Sequence, residues 1–215
     1  LPHSFRADNN DVIVSELYRC GCTWKTPVLP SYHHWLSNYV RERYVINFFI
    51  HRLPGKTLMN GGDLLVACLE AHGVHDLFGM PGTQNLPIYD ALKRHQNGFT
   101  HHLIRHEQNA TLIATGYARA SGRPGVAITV PGPGASNAST GIGDAYTDNV
   151  PVLLLTGGYT RSLSNRSRSK MFHGLEQDRF FEPLNHYYGE PGTADETPQV
   201  LDEPFRAMPT GRPGP

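Results

Sequence analysis

The stretch Thr100-His101-His102-Leu103-Ile104-Arg105-His106-Glu107-Gln108-Asn109-Ala110 decides how this chain is read. Thr100 to Ile104 reads as a short strand, and a helix opens at Gln108. A single carboxylate, Glu107, stands at the junction. In an open parallel α/β sheet, ligands bind just beyond the carboxyl ends of the strands. A carboxylate held there can be partly desolvated against a ligand and can trade a proton with it. The same position also suits a first-turn acid that complements a helix dipole. Its flanks decide between the two.

Outward from that junction the pattern alternates helix and strand. Asp63 to His72 reads as an amphipathic helix with Leu64, Leu65, Cys68 and Leu69 on one face and Gly73 as its stop. Val74 to Phe78 is a strand, Gly79-Met80-Pro81-Gly82 a tight loop, and Leu86 to His95 a helix. The helix from Gln108 to Ala120 is rich in small residues (Ala110, Ala114, Gly116, Ala118), which permit close packing on a neighbour. A turn at Gly122-Arg123-Pro124-Gly125 leads into the strand Val126 to Val130. Pro131-Gly132-Pro133-Gly134 is a loop, Ala135 to Thr147 a helix, and Val152 to Leu155 a buried strand ending at Gly157-Gly158. Apolar strands with glycine-rich exits, alternating with helices, predict an α/β fold: a doubly wound parallel sheet with helices on both faces. Beyond Gly158 the basic loop with Arg161, Arg166, Arg168 and Lys170 is a solvated surface or a lid over a ligand. A helix over Phe172 to Phe181, a short strand over Asn185 to Tyr188 and a last helix over Pro198 to Ala207 follow. Gly211-Arg212-Pro213-Gly214-Pro215 is a turn of the kind that leads into a strand, so the sheet is expected to lack its last one.

Lysine plus arginine number 19, as do aspartate plus glutamate, so bulk charge drives the chain to neither nucleic acid nor a membrane surface. Cys20, Cys22 and Cys68 make no disulfide framework, which suits a reducing compartment and a cytoplasmic location. Apolar runs such as Val150 to Leu155 are far too short to span a bilayer. Residues 1–58 show scattered aromatics and prolines and no sustained period, although Trp35 to His51 could form a helix. They are expected to be an upstream extension, with Met59 the native start and 59–215 the domain.

Several signatures fail on inspection. His106-Glu107-Gln108-Asn109-Ala110 begins like a zinc-protease sequence, but Ala110 stands where the second histidine is needed. His101 and His102 are adjacent in a strand and point to opposite faces, so they do not share a metal. Gly132-Pro133-Gly134-Ala135-Ser136-Asn137 lacks the third glycine of a dinucleotide fingerprint, and Thr156-Gly157-Gly158 stands where its acidic partner belongs. Its plainer use is to bring backbone close to a flat ligand. No Gly-Lys-Ser/Thr run follows Gly79 to Gly82 as in a phosphate loop, and no nucleophile elbow is present.

In order along the chain, these pieces resemble the N-terminal, pyrimidine-binding domain of thiamine-diphosphate-dependent enzymes of the acetolactate synthase group. Leu77-Phe78-Gly79-Met80-Pro81-Gly82 and Pro87-Ile88-Tyr89-Asp90-Ala91-Leu92 resemble that group's first loop and helix. Arg105-His106-Glu107-Gln108, with Ala114 and Gly116-Tyr117-Ala118-Arg119, is similar to its catalytic-glutamate segment. Gly122 to Val126, Gly132-Pro133-Gly134 with Asn137, and Asp148 with Pro151 through Gly157 complete the likeness over residues 59–215.

The resemblance implies that Glu107 is catalytic and hydrogen-bonds the N1′ atom of the aminopyrimidine of thiamine diphosphate, in a cleft between two subunits of a homodimer or homotetramer. Pro81, Gly82, Pro133 and Asn137 would line the cofactor there, and the substrate would be a small 2-oxo acid. The carboxyl would need an apolar, nearly dry niche to exchange its proton at neutral pH. The chain departs from the group's pattern at Phe172-His173-Gly174 (commonly Phe-Gln-Glu), at His186 (often lysine) and at Val130-Pro131 (Thr-Ser). These positions bear on substrate choice and make His173 a substrate-side candidate. They also leave decarboxylases, oxo-acid lyases and acyl transferases beside acetolactate formation. The group binds diphosphate and Mg²⁺ through a C-terminal domain carrying Gly-Asp-Gly, which does not occur here. The expectation is a fragment inactive by itself; the alternative is a non-catalytic truncated homologue that only associates with a partner subunit.

Overall fold

Four strands pair in parallel in the order β2-β1-β3-β4: β1 (Asp76–Gly79), β2 (Thr100–Leu103), β3 (Gly125–Thr129) and β4 (Val152–Thr156). This is a computed structural model, and it describes residues 59–95, 98–159 and 167–215. The expectations for residues 1–58, including the helix at Trp35 to His51, and for Arg161 and Arg166 in the basic loop lie outside the described residues. Six α-helices are described: α1 (Gly61–Ala71), α2 (Leu86–Arg94), α3 (Glu107–Ser121), α4 (Pro133–Thr147), α5 (Gln177–Phe181) and α6 (Thr197–Ala207).

The strand order dictates where the helices go. The step from β1 to β2 moves one way across the sheet; the steps from β2 to β3 and β3 to β4 move the other way. Right-handed crossovers therefore place α2 on one face and α3 and α4 on the opposite face. The core divides accordingly. Leu77, Val126, Ile128 and Leu155 pack with Cys68 and Leu69 of α1, Leu92 of α2 and Leu201 of α6. Phe78, Ala127 and Val152 pack with Ala110 and Ala114 of α3, Ile142 of α4 and Phe181 of α5. With both faces covered, β3 and β4 need apolar residues at every position, as the runs Val126-Ala127-Ile128 and Val152 to Leu155 show. The direction reverses between β1 and β3, and that is the switch point at which such sheets bind ligands.

Local sequence sets the element ends. Asn60 and Asp63 form a reciprocal capping box at α1, each side chain accepting from the other's backbone N–H at 3.0 Å. Gly73 ends that helix at φ 70°, the left-handed conformation expected of it. The small residues of α3 bring it close to α4. A Cβ on Gly141 would stand 2.3 Å from Thr111 Oγ1, and the Thr111 hydroxyl donates to Ala138 O at 2.9 Å.

Two predicted elements are corrected. The helix expected over Phe172 to Phe181 begins only at Gln177. His173 has φ 58°, and Gly174 passes so close to Arg168 O that a Cβ would overlap it, so the chain turns there. Asn185 to Tyr188 is not a strand. Asn185 Nδ2 donates to Tyr187 O at 3.0 Å, and the Tyr187 hydroxyl donates to Val200 O of α6 at 3.1 Å. Side-chain bonds thus replace a ladder. Among the described residues the outer edge of β4 pairs with no strand. A cavity of about 940 Å³ runs along it, lined by Leu153, Leu155, Tyr187, Leu201 and Pro215. No helix among the described residues is long and apolar enough to cross a membrane.

Candidate functional site

Glu107 is the first residue of α3, directly beyond the exit of β2. The helix begins one residue earlier than predicted because His106 caps it: its Nδ1 accepts from Gln108 N at 3.3 Å. That bond commits His106 to the backbone. The Glu107 side chain is half-buried. Its Oε2 accepts from Asn137 Nδ2 of α4 at 3.1 Å. Its Oε1 lies against Gly134, where a Cβ would be 3.4 Å away. Among the described residues Oε1 accepts no hydrogen bond, which leaves it available to a ligand N–H.

The loop between β3 and α4 is built to sit close to its surroundings. Gly132 adopts φ 64°, and a Cβ there would stand 2.1 Å from His173 O. Pro133 opens α4, is exposed, and has no N–H to leave unsatisfied. Val130 is wedged between two loops. A Cβ on Gly82 would be 2.3 Å from its Cγ1, and one on Gly134 would be 2.6 Å from its Cγ2. The loop after β1 is held from within by Asn85, which is fully buried. Its Oδ1 accepts from Gly82 N at 2.7 Å, and its Nδ2 donates to Met80 O at 3.1 Å. Pro81 stands exposed on the rim and Gly82 half-buried inside it.

The structure thus gathers Glu107, Asn137, Gly134 and Val130 around one point, with Gly82 on the other side of Val130. His173 joins through backbone rather than through Glu107: the same short loop touches Glu107 at Gly134 and His173 at Gly132. Gln84 Nε2 lies 3.3 Å from His173 Nδ1. The Tyr159 hydroxyl donates to His173 O, and Leu175 N donates to that hydroxyl at 3.2 Å. The cavity along β4 reaches Gln84 but not Glu107, Asn137 or Gly82.

The strand histidines behave as their alternation predicts. His101 pairs with the Tyr89 hydroxyl at 3.1 Å on one face; His102 meets Asp76 at 2.7 Å and stacks on Phe78 on the other. Among the described residues no group of three or more His, Cys, Asp or Glu could hold a metal ion. Burial pushes the Cys68 thiol up to about 12, with Asp202 adding to the shift, so this thiol is a core group rather than a nucleophile.

Sequence reasoning missed Asn85 and Gln84. Asn85 precedes Leu86-Pro87, where a helix cap is expected, and its side chain turns back into the loop instead. That position was a usable signal. Gln84 carried none, because its partner lies 89 residues away.

The residues present fit a flat, nitrogen-bearing ring. A carboxylate oxygen is left for a ring nitrogen, and beside it Val130 offers an apolar wall against which the glycines of both loops are packed. The family described as thiamine pyrophosphate enzyme, N-terminal TPP binding domain, matches residues 59–180, a span that holds every candidate site residue. The chain is 40% identical over 157 residues to a probable acetolactate synthase large subunit of Methanocaldococcus jannaschii, covering 73% of the chain and 26% of that protein. It is 40% identical over 162 residues to an acetolactate synthase of Arthrospira platensis, covering 73% of the chain and 27% of that protein. With the acetolactate synthase isozyme 2 large subunit of Escherichia coli it shares 38% identity over 157 residues, covering 73% of the chain and 28% of that protein. The chain spans about a quarter of the length of these relatives.

Proposed function

Because this chain belongs to the thiamine pyrophosphate enzymes, through their N-terminal TPP binding domain, we propose that it forms the pyrimidine-side half of an active site. The enzyme would be an acetolactate synthase-like carboligase or decarboxylase acting on a small 2-oxo acid. The observation that carries the reading is the Glu107 carboxylate, set at a strand exit with one oxygen on Asn137 and the other open beside Gly134.

When bound, thiamine diphosphate supplies the electron sink for breaking and making carbon–carbon bonds beside a carbonyl. Glu107 holds a proton against the aminopyrimidine ring nitrogen and exchanges it there. Asn137 keeps the carboxylate in one orientation. Gly82 and Gly134 let their two loops close on Val130, which provides an apolar wall beside the ring. Pro81 and Pro133 line the rim, and His173 faces the substrate side. The diphosphate and its Mg²⁺ fall to a separate domain, as the resemblance implies.

Glu107 is only half-buried in one chain. The dry niche that its chemistry needs is completed by a second subunit, in a homodimer or homotetramer. Apolar surface for that contact lies next to the carboxylate's own elements: Leu103 on β2 is 66% exposed and Ile113 on α3 is 45% exposed. A buried free thiol at Cys68 suits a cytoplasmic setting.

Saturation-transfer NMR on the chain with thiamine diphosphate tests the reading. The pyrimidine methyl should receive more saturation than the thiazolium side chain, and Glu107→Gln should weaken the contact about tenfold. Equal transfer to both rings, unchanged in the variant, would refute it.

A further inference from the structure

The Pro131–Gly134 loop touches a second polar group besides Glu107. Gln84 Nε2 and His173 Nδ1 are 3.3 Å apart. An amide nitrogen has only protons to give, so Nδ1 accepts, and the proton of the neutral ring sits on Nε2. Turning the amide round would present Oε1 to an Nδ1–H instead. In the structure Oε1 is buried and no donor among the described residues reaches it. The amide nitrogen is the atom that faces Nδ1, so Gln84 donates.

Other contacts fix the ring and the backbone behind it. Phe172 stacks on the imidazole with centroids 3.8 Å apart and planes inclined by 22°. His173 has φ 58°, the left-handed conformation that side chains rarely adopt. The Tyr159 hydroxyl bonds its carbonyl, and Gly132 leaves room for that carbonyl. A strained non-glycine residue held by several neighbours points to function.

We infer that Gln84 is a positioning residue that holds His173 as a hydrogen-bond donor, through Nε2–H, for a carboxylate or carbonyl oxygen of the oxo-acid substrate. The inference rests on the reading that His173 faces the substrate side of a thiamine diphosphate site. An oxo-acid anion offers only acceptor oxygens. A ring nitrogen carrying a proton attracts them, and one carrying a lone pair repels them.

NMR of the full chain labelled with ¹⁵N-histidine shows which ring nitrogen carries the proton, and it needs no cofactor. Neutral His173 in the wild type should be protonated on Nε2. A carboxylate only accepts, so Gln84→Glu should move the proton to Nδ1. Gln84→Leu should leave a mixture of both tautomers. His101 and His102 should be unchanged in both variants, which reports that the fold is intact. Protonation on Nδ1 in the wild type, or one tautomer in all three proteins, overturns the positioning role. Added pyruvate should then move the His173 Nε2 signal of the wild type several-fold more than that of Gln84→Glu. An unmoved wild-type signal overturns the donor role. Failure of thiamine diphosphate to bind would appear in the saturation-transfer experiment and leave the tautomer result as it stands.

Discussion

Val130 sits between two glycines, and its two methyl groups set the distance between the loops that carry the site. A Cβ on Gly134 would stand 2.6 Å from Val130 Cγ2 and 3.4 Å from Glu107 Oε1. Gly134→Ala must therefore push Val130 aside or move Glu107 off Asn137, at a cost of about 1–3 kcal/mol. Val130→Ala in the same chain makes room and should return about 1 kcal/mol, a coupling that a double-mutant cycle of urea unfolding measures. Strictly additive losses would mean that the two residues do not press on one another. At this scale the sequence was half legible. The run Gly132-Pro133-Gly134 announced a close backbone approach, because only small or ring-closed residues allow one. That its first neighbour is the chain's own Val130 required the fold. The bond from Asn137 to Glu107 also required it, because it joins residues 30 positions apart.

Between elements, the contact that aligns the site is the one between α3 and α4, because Glu107 opens the first helix and Asn137 lies near the start of the second. Gly141 sets how close they come: a Cβ there would be 2.3 Å from Thr111 Oγ1 and 2.6 Å from Leu112 N. Gly141→Ala should separate the helices, lower the melting temperature and displace Asn137 from Glu107. Gly116 also lies within a helix, but a Cβ there meets nothing within 4 Å. Gly116→Ala should stabilise the chain by up to about 1 kcal/mol through helix propensity alone. Thermal melts of the two variants should shift in opposite directions; a shift in the same direction would contradict the packing described. The small residues of α3 were visible in the sequence as a tight-packing face. The helix over Phe172 to Phe181 was misread because hydrophobic spacing does not register a residue such as His173 at positive φ. Asn185 to Tyr188 was misread because its tyrosines suggest a strand while their hydroxyls and neighbouring amides serve local bonds.

For the whole molecule, the alternation of apolar strands and capped helices was enough to predict a doubly wound parallel sheet, because burial on both faces leaves few other arrangements. The strand order was not in the pattern, and with it came the switch point between β1 and β3 that locates the site. The family match begins at residue 59 and the first described helix is capped at Asn60, so residues 59–215 should fold alone. Their melting temperature should stay within about 2 °C of the full chain's, a difference well under 1 kcal/mol. A larger fall would move the domain boundary upstream. The central claim, that Glu107 acts on thiamine diphosphate, is tested most directly in a chimera. Residues 59–215 would replace the matched 157 residues of the Escherichia coli isozyme 2 large subunit. Acetolactate formation from pyruvate would then be measured with and without the cofactor. The account predicts cofactor-dependent turnover that falls at least about 100-fold in kcat/KM with Glu107→Gln. A folded chimera whose turnover is unaffected by Glu107→Gln would contradict it.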